Sequence, residues 1–471
     1  MKYQGRTKKQ KPVLSQWRFA TVGAGIALLF IVLVARTAYI QVVEPDQLRY
    51  QGDLRSLRIT TTEAQRGMIE DRNGEVLAVS VPVETVWADP KLVHDKGSLQ
   101  HKAAWQALAD VLDDSYDSLY DKVKNPKKRF VYLKRQVSSA VADYIRKLKL
   151  PGIYLRPESR RFYPTGEINA QLVGLTNIDD KGIAGIELSY NQWLAGSATE
   201  RRVRKDRLGH VIENMGVVRE GKKPHQLTLS IDQRIQSMAY KALKRATAYN
   251  QATSASLVMI KVNTGEILAM ANTPSYNPNN RSDYRSFRAR DRAITDAYEP
   301  GSTLKPLIMV SALEHKVVEP DSIIDTSPGW LYLGAQRVSD EGHNYGKITL
   351  GQILEHSSNM GMTKIALRET PQQMLSTLYN LGIGNTTGVG LTGEAAGFMP
   401  QRRRWSKFEQ ATLSFGYGVT VTPLQLAYAY SILGNGGIRY PLSILKLNKA
   451  PRGSGWCPSA MPMKWSRCWR K

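Results

Sequence analysis

An α+β architecture carried behind one membrane-spanning helix is the fold class predicted by this 471-residue sequence. Three observations predict it: a long uncharged apolar run near the N-terminus, helical periodicity alternating with paired β-prone runs, and tight-turn residues joining those runs. At this length two or three domains are expected rather than one core. A composition of 42% hydrophobic and 23% charged residues is that of a globular chain.

The first element is the apolar run. Residues 19–35 carry no charge and resume apolar character at Ala38, Ile40, Val42 and Val43. Spanning a bilayer takes about 17 to 25 such residues, and Arg36 is placed to snorkel to the interface. A cleaved signal peptide would have a shorter apolar core and a small-residue cleavage site; Ala38-Tyr39-Ile40-Gln41 follows instead, so the run reads as an uncleaved anchor. Lys2, Arg6, Lys8, Lys9, Lys11 and Arg18 precede it with no acid, which places residues 1–18 in the cytoplasm and everything after about residue 43 outside.

The formal charge of +24 invites a nucleic-acid reading, but eleven of those charges lie in residues 1–18 and 451–471. The middle holds no compact basic stripe interleaved with aromatics, so its charge reads as a solvated surface and no nucleic-acid partner is expected. Cys457 and Cys468 are the only cysteines, both in the tail, which excludes a thiolate zinc site or disulfide framework from the body. The seven histidines lack His-Glu-x-x-His spacing, so neither a metal nor a cofactor is expected. Gly342-His343-Asn344-Tyr345-Gly346-Lys347-Ile348 is one residue short of a phosphate loop and lacks its Ser/Thr.

After the anchor, residues 56–62 alternate as a strand, and Asn73-Gly74 between Met68-Ile69 and Val76-Leu77 marks a hairpin. Residues 102–150 are helical in period and charge. A charged Gly- and Pro-containing stretch at 219–224 reads as a linker. A new rhythm then begins: Leu227 to Ser230 is strand-like, Asp232 is a helix cap, and Ile235, Met238, Ala239, Ala242, Leu243 and Ala246 share one helical face. Residues 254–262 and 266–271 are β-prone runs joined at Asn263-Thr264-Gly265, a second hairpin.

The residues that carry chemistry lie in Tyr298-Glu299-Pro300-Gly301-Ser302-Thr303-Leu304-Lys305-Pro306. Pro300-Gly301 ends the preceding element, and the run from Leu304 to Leu313 is a buried helix in pattern. Ser302 at its start and Lys305 three positions on share one helical face. A desolvated lysine has a lowered pKa and takes a hydroxyl proton in its neutral form, while the helix N-terminus favours a developing oxyanion. A second copy, Ser443-Ile444-Leu445-Lys446, lies on a β-prone run, where positions three apart face opposite sides, and reads as chance. Ser-x-Asn occurs at Ser189, Ser275 and Ser357, and only Ser357-Ser358-Asn359 follows Ser302, at the end of a helical run beginning near Thr349. In isolation such a triplet is also a local turn bonding its own backbone.

Ser-x-x-Lys followed by Ser-x-Asn resembles the penicillin-binding and serine β-lactamase superfamily. The blocks at 66–78, 160–190, 205–209, 299–306, 414–418 and 420–423 resemble class B penicillin-binding proteins of the division-specific, FtsI type, over roughly residues 15–447. The resemblance implies an anchor at 19–43, an elongated pedestal (dimerisation-like) domain at 44–222 and a penicillin-binding/β-lactamase-like transpeptidase domain at 223–447. It implies Ser302 as nucleophile, Lys305 as its base, Ser357 as proton relay and Asn359 as holder of a substrate amide. The implied reaction is cross-linking of peptidoglycan stem peptides at the septum, with β-lactams acylating the same serine. The implied setting is the inner membrane, N-terminus cytoplasmic and catalytic domain periplasmic, with an FtsW-type glycosyltransferase and other division proteins as partners.

The family also carries Lys-Ser/Thr-Gly on a strand beside the site, and no such triplet follows Asn359; Asn263-Thr264-Gly265 precedes the nucleophile and lacks the lysine. Residues 448–471 depart from the body in composition, with both cysteines, three tryptophans and no acid. A frameshifted or truncated reading frame, an incomplete transpeptidase domain and impaired catalysis are therefore expected. The other reading is a non-catalytic, membrane-anchored division scaffold.

Overall fold

The computed structural model describes residues 16–43, 45–62, 65–206, 211–449 and 451–455. The basic residues before position 16, residues 207–209 and the tail from 456 with both cysteines lie outside the described residues. By packing, the chain divides into two units: residues up to 64 with 197–222, and 65–196 with 223 onward. Residues 65–196 thus cluster with the C-terminal half of the chain, not with the strands at 57–62 and 199–219.

The first unit begins with the helix Gln16–Ala38, continued by a π-helical turn Tyr39–Val43. Residues Trp17–Gln41 form a helical stretch long and apolar enough to cross a membrane, with a mean hydropathy of 2.2. The Arg36 guanidinium lies over the Tyr39 ring, 5.5 Å from its centroid. The helix Pro45–Ser56 leads into the predicted strand, here Leu57–Thr62, which pairs antiparallel with Thr199–Lys205, itself paired to Val211–Arg219. Arg204 bridges Asp53 at 3.0 Å and Glu213 at 2.9 Å, partly exposed pairs worth at most about 1 kcal/mol each.

In the second unit the first hairpin forms where Asn73-Gly74 predicts it. Ile69–Glu70 pairs antiparallel with Val76–Ala88, and Gly74 takes a φ of 89° that a side chain would strain. Asp71 holds the turn by accepting the Asn73 and Glu75 N–H groups at 2.7 and 2.8 Å. Val76–Ala88 also pairs with Val131–Val137 and Ile153–Phe162, and Leu227–Thr228 joins Ile69–Glu70 in parallel. The expectation of helix throughout 102–150 needs correction. Helices Lys102–Leu112, Tyr116–Val123 and Ser139–Leu148 form, but Val131–Val137 between the last two is a strand. Its Phe130-Val131-Tyr132-Leu133 run is aromatic and β-branched, and pairing with the 76–88 strand outweighs the surrounding helical pattern.

A charged cluster lies inside this unit. Arg66 Nε and Arg161 Nε reach the two oxygens of Glu187 at 2.5 and 2.6 Å, and all three side chains are at most 1% exposed. Arg66 also donates to Asn191 Oδ1 and Arg161 to the Gly67 carbonyl, so the buried charges are paired and hydrogen-bonded.

From Leu227 onward the elements follow the predicted order. Asp232 caps the helix Gln233–Tyr249 by accepting the Arg234 N–H at 3.1 Å. Strands Ala255–Lys261 and Glu266–Thr273 form the second hairpin, turning at Gly265 with a φ of 76°. A 3₁₀ turn Gly301–Leu304 then feeds the helix Lys305–Glu314, in which every residue from Lys305 to Ala312 is buried. Apolar all round from Lys305 to Ala312 apart from Lys305 and Ser311, that helix lies inside the core, packed against the helices Asn359–Ala366 and Pro371–Asn380. Thr349 and Thr422 each close a capping box, starting the helices Leu350–Glu355 and Pro423–Gly434.

Candidate active site

Pro300 and Gly301 bend the chain into the 3₁₀ turn, so that Ser302 is exposed while Lys305, one turn along, is 1% exposed. The turn is braced from outside. Gly301 donates to the Gly416 carbonyl at 3.2 Å, and Glu299 accepts the Gly418 N–H at 2.9 Å. A Cβ on Gly416 would sit 2.0 Å from the Gly301 carbonyl oxygen, so only glycine allows this approach. Tyr298 pairs with Val421 through two backbone bonds, and Tyr430 Oη donates to the Thr303 carbonyl at 2.8 Å. The block at 414–423 is therefore scaffolding for the serine turn.

Ser357 and Asn359 come to the same place. Lys305 Nζ donates to Ser357 Oγ and to Asn359 Oδ1, each at 2.9 Å, and also to the Ser357 carbonyl. Ser357 Oγ in turn donates to Ser302 Oγ at 2.9 Å. The four predicted residues thus form one connected network. Among the described residues the hydrogen-bonded route from Lys305 to Ser302 runs through Ser357 Oγ. Ser357 has a φ of 53°, in the left-handed region that a serine seldom occupies, and this conformation turns both its hydroxyl and its carbonyl toward the amine.

Burial pushes the Lys305 amine down to about 8, against the opposing pull of Asp340 and Glu341. Near neutral pH the amine therefore exists in both forms, as a group that accepts and returns a proton requires.

Asp340 carries no sequence signal of its own. It is 6% exposed and accepts Ser358 Oγ–H at 2.7 Å and the Met360 N–H at 2.9 Å, fixing the Ser-x-Asn turn from behind. Asn359 Nδ2 donates to the Ser339 carbonyl at 3.2 Å, so the loop at 339–340 holds both the buried and the site-facing side of the turn. Asp340 lies 18 residues before Ser358, too far for any local motif to reveal it.

The other motif copies have separate tasks. Ser189 Oγ meets Thr392, Asn191 accepts from Arg66, and Ser275 donates to the Glu167 carbonyl. No group of three or more metal-ligating side chains occurs among the described residues.

Comparison with known proteins gives matching descriptions for two stretches that follow the apolar helix. The penicillin binding protein transpeptidase domain matches residues 255–464, and the penicillin-binding protein dimerisation domain matches residues 61–229. Peptidoglycan D,D-transpeptidase FtsI of Escherichia coli (strain K12) is 47% identical over 462 residues, covering 96% of this chain and 78% of that protein. The FtsI of Buchnera aphidicola subsp. Schizaphis graminum is 41% identical over 442 residues, covering 94% and 77%. A peptidoglycan synthetase from Bifidobacterium adolescentis superposes with a TM-score of 0.66 at 27% identity, over 88% of this chain and 81% of that one. Penicillin-binding protein PBP2 of Helicobacter pylori, solved in complex with MreC, shares the fold at a TM-score of 0.72 and 21% identity, over 87% and 83%.

Proposed function

The chain belongs to the class B penicillin-binding proteins, the FtsI-type peptidoglycan D,D-transpeptidases, and from that premise we propose that Ser302 is its nucleophile, serving septal cross-linking from the periplasmic side of the inner membrane. The observation that supports this most is the network Lys305–Ser357–Ser302, with both links at 2.9 Å. With the amine neutral, Ser302 passes its proton to Ser357 Oγ, which passes its own to Lys305. The Ser302 oxygen attacks the carbonyl between the terminal D-alanines; a C–O bond forms, the C–N bond breaks, and the stored proton returns to the departing amine. An amine of a neighbouring stem then attacks the ester, forms the cross-link and restores the Ser302 hydroxyl. Asn359, held by Lys305 and the Ser339 carbonyl, is positioned to bond a substrate amide. A β-lactam ring opens on Ser302 by the same first step and leaves an ester that hydrolyses slowly.

The helix start supplies backbone N–H groups to the developing oxyanion. No Lys-Ser/Thr-Gly triplet follows Asn359 in these 471 residues. A second reading is an anchored scaffold binding an FtsW-type glycosyltransferase and other division proteins, supported by the apolar helix and the dimerisation-domain match. Complementation of a strain depleted of its own enzyme separates the two. If Ser302→Ala supports division as well as the unaltered chain, catalysis is not its contribution; if only the unaltered chain does, the transpeptidase reading stands.

A further inference from the structure

Beside the Ser-x-Asn turn stands a two-stranded hairpin, Trp330–Leu333 paired with Gln336–Ser339. Its inner side is accounted for: Leu331, Leu333 and Val338 pack with Met360, Ala411 and Phe415. Its outer side is not. Trp330 is 42% and Tyr332 58% exposed, their rings perpendicular with centroids 5.6 Å apart. Arg337, cross-strand from Tyr332, places its guanidinium 5.5 Å from the centre of the Trp330 ring and forms no ion pair among the described residues. Two large aromatic side chains stand about half in water, and packing within the fold does not account for their exposed parts.

The face is continuous with the candidate site. Trp330 is cross-strand from Ser339, whose carbonyl accepts from Asn359, so the aromatic stripe starts at the turn that would hold the substrate amide. At about 3.3 Å per residue it extends roughly 10 Å from there. A stem peptide with its scissile bond at Ser302 runs back toward its sugar over several residues at about 3.5 Å each, a comparable reach. We propose that this hairpin face is a subsite for the glycan part of the peptidoglycan strand, with sugar rings stacked on Trp330 and Tyr332 and Arg337 taking a stem carboxylate. Flat apolar rings without a row of converging donors suit the C–H face of an amino sugar rather than an amide ladder. A guanidinium with no ion-pair partner among the described residues suits a carboxylate, which it binds through two parallel hydrogen bonds. The inference rests on the transpeptidase reading, because that reading brings the strand to Ser302.

The test uses the full chain in detergent with two probes: glycan strands stripped of their peptides, and the same strands bearing uncross-linked stems. The unaltered chain is expected to bind both, and Trp330→Ala/Tyr332→Ala to bind stripped strands at least tenfold more weakly. Arg337→Gln is expected to retain affinity for stripped strands and lose about fivefold for the stem-bearing ones. Thermal melts accompany each form, and Tyr332→Ala alone serves if the double variant melts early. Stripped strands that do not bind, or that bind both aromatic variants as well as the unaltered chain, overturn the proposal. Fluorescent penicillin labelling, which needs no sugar, is read in parallel. Absent labelling with intact glycan binding counts against Ser302 as nucleophile and leaves the hairpin result standing.

Discussion

Ser302–Lys305 and Ser443–Lys446 are the same four-residue pattern in two settings. In the first, a 3₁₀ turn entering a buried helix puts the hydroxyl in solvent and the amine in the core. In the second, the chain runs extended along the edge of the Glu266–Thr273 strand, where Ile267 N–H donates to the Ser443 carbonyl and Ser443 N–H to the Gly265 carbonyl, each at 3.0 Å. Ser443 Oγ donates to the Leu445 carbonyl two residues away, and Lys446 is exposed. The spacing alone therefore does not set the two pairs apart. Burial of the amine does, because a desolvated lysine gives up its charge near neutral pH.

The largest expected effect breaks the comparison outright. Ser302→Ala should abolish covalent labelling by a fluorescent penicillin, while Ser443→Ala should leave the labelled band unchanged on a gel. Lys305→Met, which keeps the stem and removes the amine, should slow acylation by about 100- to 10,000-fold, against less than about twofold for Lys446→Met. Stopped-flow acylation rates check both.

The pH dependence sharpens the contrast. Acylation should rise through about pH 8, as Lys305 loses its proton, and then level off. Stability changes in the same direction. Between about pH 8 and its ordinary value of 10.5, Lys305 is protonated in the unfolded chain and neutral in the folded one, so raising the pH stabilises the fold across that window. The folded state carries the cost of a buried ammonium only below it. Chemical denaturation at pH 7.5 and 10 should show the gain, and Lys305→Met should remove it.

Asp340→Asn makes a smaller change. It weakens the acceptor for Ser358 Oγ and the Met360 N–H, for a loss of about 1–3 kcal/mol in denaturant titrations. It also removes an anion that holds the Lys305 proton, so the acylation profile should move to lower pH. A profile that stays in place would mean that Asp340 only supports the turn.

The sequence was readable wherever structure is dictated by near neighbours. Asn73-Gly74, Asp232 and the Ser302 turn all rest on residues within four positions, and all form as expected. What escaped was decided across the fold. The 131–137 strand exists because Val76–Ala88 offers it an edge, and Asp340 matters because the hairpin brings it behind Ser358. The left-handed Ser357 is of the same kind: a serine there is strained in isolation and is held by Lys305 on one side and the Leu354 carbonyl on the other. Ser357 and Asn359 could be chosen from three Ser-x-Asn copies only by chain order, whereas the folded chain selects them by contact.

The chain leaves the second unit at residue 196 and returns at 223, and the neighbours of that gap are already joined. His225 N–H donates to the Trp193 carbonyl at 3.3 Å, and the two rings stack with centroids 4.5 Å apart. Residues 197–222 are in this sense a guest segment whose host closes without it. Bridging so short a span costs little chain entropy, which makes this the natural place to graft a tag or to splice in the corresponding piece of a relative without disturbing the serine turn.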